Sequence, residues 1–306
     1  DRRAQLAKVL QASESDAKRD ALDAYARRTP GEVIEPLQFS SVPQAVQAIA
    51  GRVQQAERAS DWAGAPASPL LDDEAQQFGQ MLAALPERER ANMLAGLSKT
   101  MPPRVAAGLS RQLDPKDKTL SLSLQIGYAP TIEKMLAGKR LMSEKGLQDN
   151  SRIVKDYRTM ILDEIGDAYP VPQMREDAAQ AALYVVAGLA DGEAASRSKA
   201  REAVRMVTGG VAEINGAKVP LAPGMSAADL EQRLQDYSPM DIRAQAPDGR
   251  VYVAGQPAMS AEDFTRALPQ LQLIYAGPGR YYVVGGGRIV SNAEGKRIVV
   301  EAGNVR

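Results

Sequence analysis

The chain lacks cysteine and histidine altogether. Without cysteine there is no disulfide scaffold, no thiolate nucleophile, no cysteine-type zinc and no iron–sulfur ligation. Without histidine there is no serine–histidine triad and no histidine-ligated zinc or iron. Net charge is missing too, since 38 basic residues balance 38 acidic ones. That balance argues against a general nucleic-acid surface. Even the most basic stretch, residues 104–145, sets only eight basic residues against four acidic ones, so no sequence-specific nucleic-acid binding is expected. Aromatics are sparse at 5%. No run of about 18 apolar residues occurs to span a membrane; residues 178–190 come nearest and contain Gln180 and Tyr184.

What is present is alanine, the commonest residue, in a chain of 306 residues with 44% hydrophobic and 25% charged content. These proportions predict a packed core. Alanine has the best helix propensity and lets helices approach closely, so the expected fold is mainly α. Apolar residues at three- and four-residue spacing mark helices over 151–168 (Ile153, Val154, Tyr157, Met160, Ile161, Ile165) and 174–189 (Ala178, Ala181, Ala182, Val185, Val186, Leu189). Charged residues with Leu6, Val9, Leu10 and Leu22 predict a helix over 1–28, and Val46, Ile49, Val53 and Ala56 a second one after Pro43. Ser68-Pro69, Pro86 and Pro102-Pro103 read as the openings of three short helices. Residues 120–126 alternate Leu120, Leu122, Leu124 and Ile126 with Ser121, Ser123 and Gln125. That is a strand pattern, but helix remains open for this segment.

After residue 208 the character changes. Asn215-Gly216 between apolar pairs predicts a type I′ hairpin, and Ser226 with Asp229 a capped helix. Beyond it, short runs at 251–253, 271–275, 281–284, 288–290 and 297–300 read as strands, with a serine-capped helix over 260–268. The expectation is a multi-helix body followed by a small antiparallel α+β module at the C-terminus. Its segments are an N-terminal helical segment (1–66), a helical body (67–208), a hairpin-and-helix connector (209–245) and the module (246–306).

Candidate chemistry is thin, and no residue is assigned a catalytic, cofactor-binding or metal role. Asp163, Glu164 and Asp167 form the densest carboxylate cluster; they suit a divalent cation by type, but an exposed acidic helix face is the simpler account. Gly277-Pro278-Gly279 and Gly285 to Gly287 have no helix after them, so they read as hairpin turns rather than phosphate loops. Carboxylates alone can hydrolyse glycosides, which leaves Glu14, followed by Ser15, and Glu133 as nominal acids. Glu14 has no apolar surroundings in sequence to raise its pKa. Of Tyr275, Tyr281 and Tyr282, the adjacent pair must face opposite sides of a sheet, one core and one surface.

The run DEIGDAYPVPQM (163–174), then ALYVVAGLA (182–190), VRMVTGG (204–210) and the Asn215-Gly216 hairpin resembles part of the large virion proteins of tailed phages and prophages. So does the terminal stretch FTRALPQLQLIYAGPGRYYVVGGGRIVSNAEGKRIVV (264–300). The resemblance covers residues 75–306 and rests on texture and word order. Such proteins are often described as internal virion (ejection) proteins or as transglycosylase-containing. In that family the lytic domain lies upstream and combines a glutamate–serine pair with a glycine–leucine–methionine–glutamine motif, which Gln125-Ile126-Gly127 does not match. The resemblance therefore implies a non-catalytic segment of a phage virion protein. It also implies self-association, other virion proteins as partners, and residence in the virion and then the host periplasm or envelope. The start at Asp1 fits a piece of a longer polypeptide. Two alternatives stand beside this reading, a carboxylate-based peptidoglycan-cleaving enzyme and a cell-wall or partner-binding module.

Overall fold

The computed structural model describes residues 20–113, 118–147, 151–190, 196–222, 224–253, 257–277 and 279–302. Glu14 and Ser15, most of the helix expected over 1–28, and Pro278 lie outside them. The architecture is mainly α, 61% helical with 13 helices among the described residues, and carries a small antiparallel sheet region near its C-terminus. None of these helices is long and apolar enough to cross a membrane. The chain forms two compact units, 1–133 and 134–306.

The first unit holds α1 (Ala21–Arg28), α2 (Val42–Ala63), α3 (Asp72–Ala84), α4 (Glu87–Thr100), α5 (Pro103–Leu113), α6 (Thr119–Ile126) and the start of α7 (Ala129–Glu144). Proline sets several of these beginnings: Pro43 in the first turn of α2, Pro86 before α4 and Pro103 opening α5. Ser68-Pro69 does not open α3, which starts at Asp72. The reason is that Pro69 turns its carbonyl to the Arg52 guanidinium at 3.3 Å, while Glu74 supplies the cap by accepting the Leu71 N–H at 2.8 Å. Residues 120–126 are helical despite their alternating pattern. Thr119, Leu120, Leu122, Ser123, Leu124 and Ile126 are all buried, so small Ser123 counts as core, and its hydroxyl donates back to the Thr119 carbonyl at 2.8 Å. Gly127, at φ 62°, then ends α6 in the left-handed conformation that glycine tolerates.

One ion pair lies inside this unit. Arg52 and Glu74 are the charged side chains that are buried among the described residues, at 4% and 5% exposure. Arg52 grips both carboxylate oxygens and also donates to the Glu35 and Pro69 carbonyls. Glu74 accepts the Leu37 N–H at 2.6 Å and the Leu71 N–H. Burying two charges is costly unless the remaining donors and acceptors are filled. Here they are, and the pair clamps α2, α3 and the extended 35–37 segment together across position 66/67. Phe39 stacks at a tilt on buried Phe78 beside it, 5.6 Å between ring centres.

The second unit begins within α7 and continues through α8 (Arg152–Ile165), α9 (Pro172–Ala190) and α10 (Arg197–Thr208). α9 buries Ala178, Ala179, Ala181, Ala182, Leu183, Val185 and Val186, so it is covered on more than one side. Where α7 crosses α9, Gly138 meets Gly188. A Cβ added to Gly138 would land on the Tyr184 carbonyl oxygen and 2.6 Å from the Gly188 nitrogen. One added to Gly188 would lie 2.5 Å from the Lys134 carbonyl oxygen. The backbones touch there.

Next come β1 (Val211–Ile214) and β2 (Ala217–Pro220), paired antiparallel around Asn215 (φ 51°) and Gly216 (φ 75°), as a type I′ turn requires. α11 (Ala227–Gln235) is capped reciprocally by Ser226 and Asp229, and α12 (Pro239–Gln245) by Ser238 and Asp241. A short pair, β3 (Arg250–Val251) with β4 (Met259–Ser260), leads into α13 (Ala261–Ala267). The last sheet is β5 (Gln272–Gly277), β6 (Arg280–Gly285) and β7 (Arg288–Ile289) in that order, with β8 (Val299–Glu301) also pairing β6. Ala212, Leu230, Ile242, Phe264, Tyr281 and Val300 share one apolar core, so residues 209–245 and 246–306 pack as one body. The outer edge of β8 is closed by side chains. Gln245 both donates to the Val299 carbonyl and accepts its N–H, each at 2.8 Å, which blocks further strand pairing there.

The clamp predicts an unequal mutational response. Glu74→Ala leaves Arg52 charged and buried and should lower unfolding free energy by about 3–5 kcal/mol. Exposed Arg140→Ala, which breaks only a surface pair with Glu144, should cost about 1 kcal/mol or less. Urea denaturation of the two variants measures the difference, and equal losses would contradict the clamp.

Candidate functional site

The carboxylate cluster on α8 resolves into separate ion pairs. Asp163 faces Arg197 at 3.7 Å, Glu164 faces Arg201 at 2.9 Å, and Asp167 faces Lys218 at 3.9 Å. Each acid points to its own cation, two on α10 and one on β2, instead of converging on a shared centre. Among the described residues no three carboxylates are grouped to hold a metal ion. Glu133 is partly exposed on α7. The buried glutamate, Glu74, is fully engaged by Arg52 and two backbone amides, which stabilise its ionised form.

Carboxylates whose protonation is perturbed lie at helix starts. Burial pushes Asp20 up even though it accepts the Asp23 N–H at the start of α1. Hydrogen bonds from the Ser226 hydroxyl and backbone hold Asp229 down at the start of α11. Both side chains are caps by geometry.

Both glycine clusters lie in hairpins. Gly277 and Gly279 flank the β5–β6 connection, where the register shifts after Tyr275. Gly286 and Gly287, at φ 56° and 75°, turn β6 into β7. Neither runs into a helix, so neither presents the amide cradle of a phosphate loop.

The tyrosines separate as adjacent strand residues must. Tyr281 is wholly buried, and its hydroxyl donates to the Pro220 carbonyl at 2.9 Å. Tyr275 sits edge-on to Tyr169, 5.0 Å between ring centres. Packing around these hydroxyls drives all three pKa values upward, chiefly by desolvation. They are neutral core groups. Tyr282 lies on the opposite face, with the Arg297 guanidinium 5.2 Å over its ring.

That outer face is the part of the module best suited to contact. Its cross-strand rows are Gln272–Val284–Ile289 and Ile274–Tyr282–Val299. Antiparallel sheets with one face on a core ordinarily carry polar residues on the other. Here Ile274, Tyr282, Val284, Ile289 and Val299 make it apolar, and all five remain partly exposed. Such a surface supports apolar packing and ring stacking and offers no group that moves a proton. Sequence reasoning found Tyr282 and missed its neighbours. The available signal was the unbroken apolar run from Tyr281 to Val284, which lacks the polar alternation of a half-exposed strand.

No protein-family model, curated protein or solved structure matches the chain.

If the acidic face of α8 is a set of exposed ion pairs, neutralising it should change little. The triple variant Asp163→Asn, Glu164→Gln, Asp167→Asn is expected to lose about 1–2 kcal/mol of stability. Calorimetric titration of the parent with calcium should show no saturable site. A tight calcium site that vanishes in the triple variant would overturn this assignment.

Proposed function

We propose that this chain is a structural, non-catalytic segment of a phage virion, part of an internal or ejection protein that assists genome delivery through the host envelope. The observation that carries the non-catalytic half of this reading is the state of the acids. The clustered carboxylates face cations singly, and the buried glutamate is held ionised by a guanidinium and two amides. A glycoside hydrolase needs the reverse: a carboxylic acid with raised pKa opposite a second carboxylate across a groove.

The virion half rests on the resemblance of residues 75–306 to tailed-phage virion proteins. A helical body with close backbone contacts and an apolar outer sheet face is consistent with packing against neighbours. On this reading the partners are further copies of the chain and other virion proteins, with the host envelope or peptidoglycan met during delivery. The chain resides in the virion and afterwards in the host periplasm or envelope. No observation favours the peptidoglycan-cleaving alternative.

Light scattering across a concentration series, with and without lipid vesicles, tests the proposal. The expected result is a mass rising above the 32.8 kDa of one chain, reduced in Tyr282→Glu at unchanged helicity. A strict monomer under both conditions, together with clearing of a peptidoglycan suspension, would overturn it.

A further inference from the structure

A cleft in the second unit has the lining of a ligand site. It lies among the C-terminal end of α7, α8 and α9, with Leu141, Met142, Leu147, Ile153, Val186 and Ala187 on its walls and a volume of about 30 Å³. Water needs two to four polar partners to stay in such a space, and a water-sized sphere takes roughly 10–15 Å³ of it. These walls provide almost no such partners, so the natural occupant is a few aliphatic carbons.

The polar features around the cleft favour a negative charge. Lys145 is the charged residue in its lining. The acids nearest to it in sequence on the two flanking helices are turned to arginines, Glu144 to Arg140 at 3.0 Å and Asp156 to Arg152 at 3.9 Å. α8 starts two residues before the wall residue Val154, and its N-cap Ser151 forms no capping bond. The Ser151 hydroxyl oxygen is buried and has no hydrogen-bond partner. The amides of a helix start carry partial positive charge and accept an anion readily. An ammonium, an unpartnered hydroxyl and uncapped amides thus flank one apolar slot.

We infer that this cleft binds a single-chain aliphatic anion, the tail between α8 and α9 and the carboxylate at Lys145 and the start of α8. The inference is independent of the proposed virion role. The small volume selects a medium chain, since only its last few carbons are enclosed.

Calorimetric titration of the full chain with sodium octanoate, and separately with 1-octanol, tests it. Octanoate should bind at one site per chain and raise the melting temperature with concentration. Lys145→Met should weaken octanoate roughly tenfold, the loss expected for one charge-assisted hydrogen bond, and leave octanol unchanged. Ala187→Phe, which fills the slot, should abolish binding of both. Lys145 is exposed, so its variant reports even if Ala187→Phe does not fold. No saturable octanoate binding, binding that survives Ala187→Phe, or equal octanoate affinity in Lys145→Met would each overturn the inference.

Discussion

Backbone-to-backbone contact is the constraint on which both units depend. With few rings to fill space, the chain brings its helices and turns together until main chains touch, and only residues with little or no side chain permit that. Gly138 and Gly188 do so where α7 crosses α9. Gly108 of α5 lies against the Ala67 carbonyl in the first unit, and Gly209 against the Ala222 carbonyl in the second. Contacts this close gain many small dispersion terms and weak Cα–H···O bonds. They also leave no room for a methyl group, so they fix register as well as distance.

Electrostatics divides along the same line between buried and exposed. The Arg52–Glu74 clamp is dry and fully bonded, and it orders an extended segment that has little apolar surface of its own. The pairs at Asp163, Glu164 and Asp167 are largely exposed and contribute little each. Asp229 gives the capping of α11 a pH sense. Its folded pKa lies below the ordinary 3.8, so the stabilisation is present above that value and fades as pH falls through the lowered one.

Much of the fold is legible in the sequence because local chemistry and global packing agree. Prolines at helix starts, Asn215-Gly216, and serine caps at 226 and 260 all have the roles their spacing predicts. The failures have physical causes. Residues 120–126 alternate like a strand because a buried serine is indistinguishable in sequence from an exposed one. The start of α3 was misplaced because the Pro69 carbonyl answers a guanidinium 17 residues away. Arg52 itself was readable, since it interrupts the apolar stripe of Ile49, Val53 and Ala56, but its partner Glu74 could not be named without tertiary structure. The octanoate-sized cleft had no sequence signature, because its walls are ordinary core residues that fall short of closing.

The close-contact account makes a prediction opposite in sign to helix propensity. Glycine to alanine inside a helix ordinarily stabilises by about 0.5–1 kcal/mol. Gly51, on α2 with open space around it, should follow that rule as Gly51→Ala. Gly138→Ala should instead destabilise by about 1–3 kcal/mol or more, because its methyl group must push α7 off α9. Thermal and urea denaturation of this pair of variants is the most direct test. Opposite signs are the predicted result, and stabilisation by both would show that the helices do not meet at their backbones.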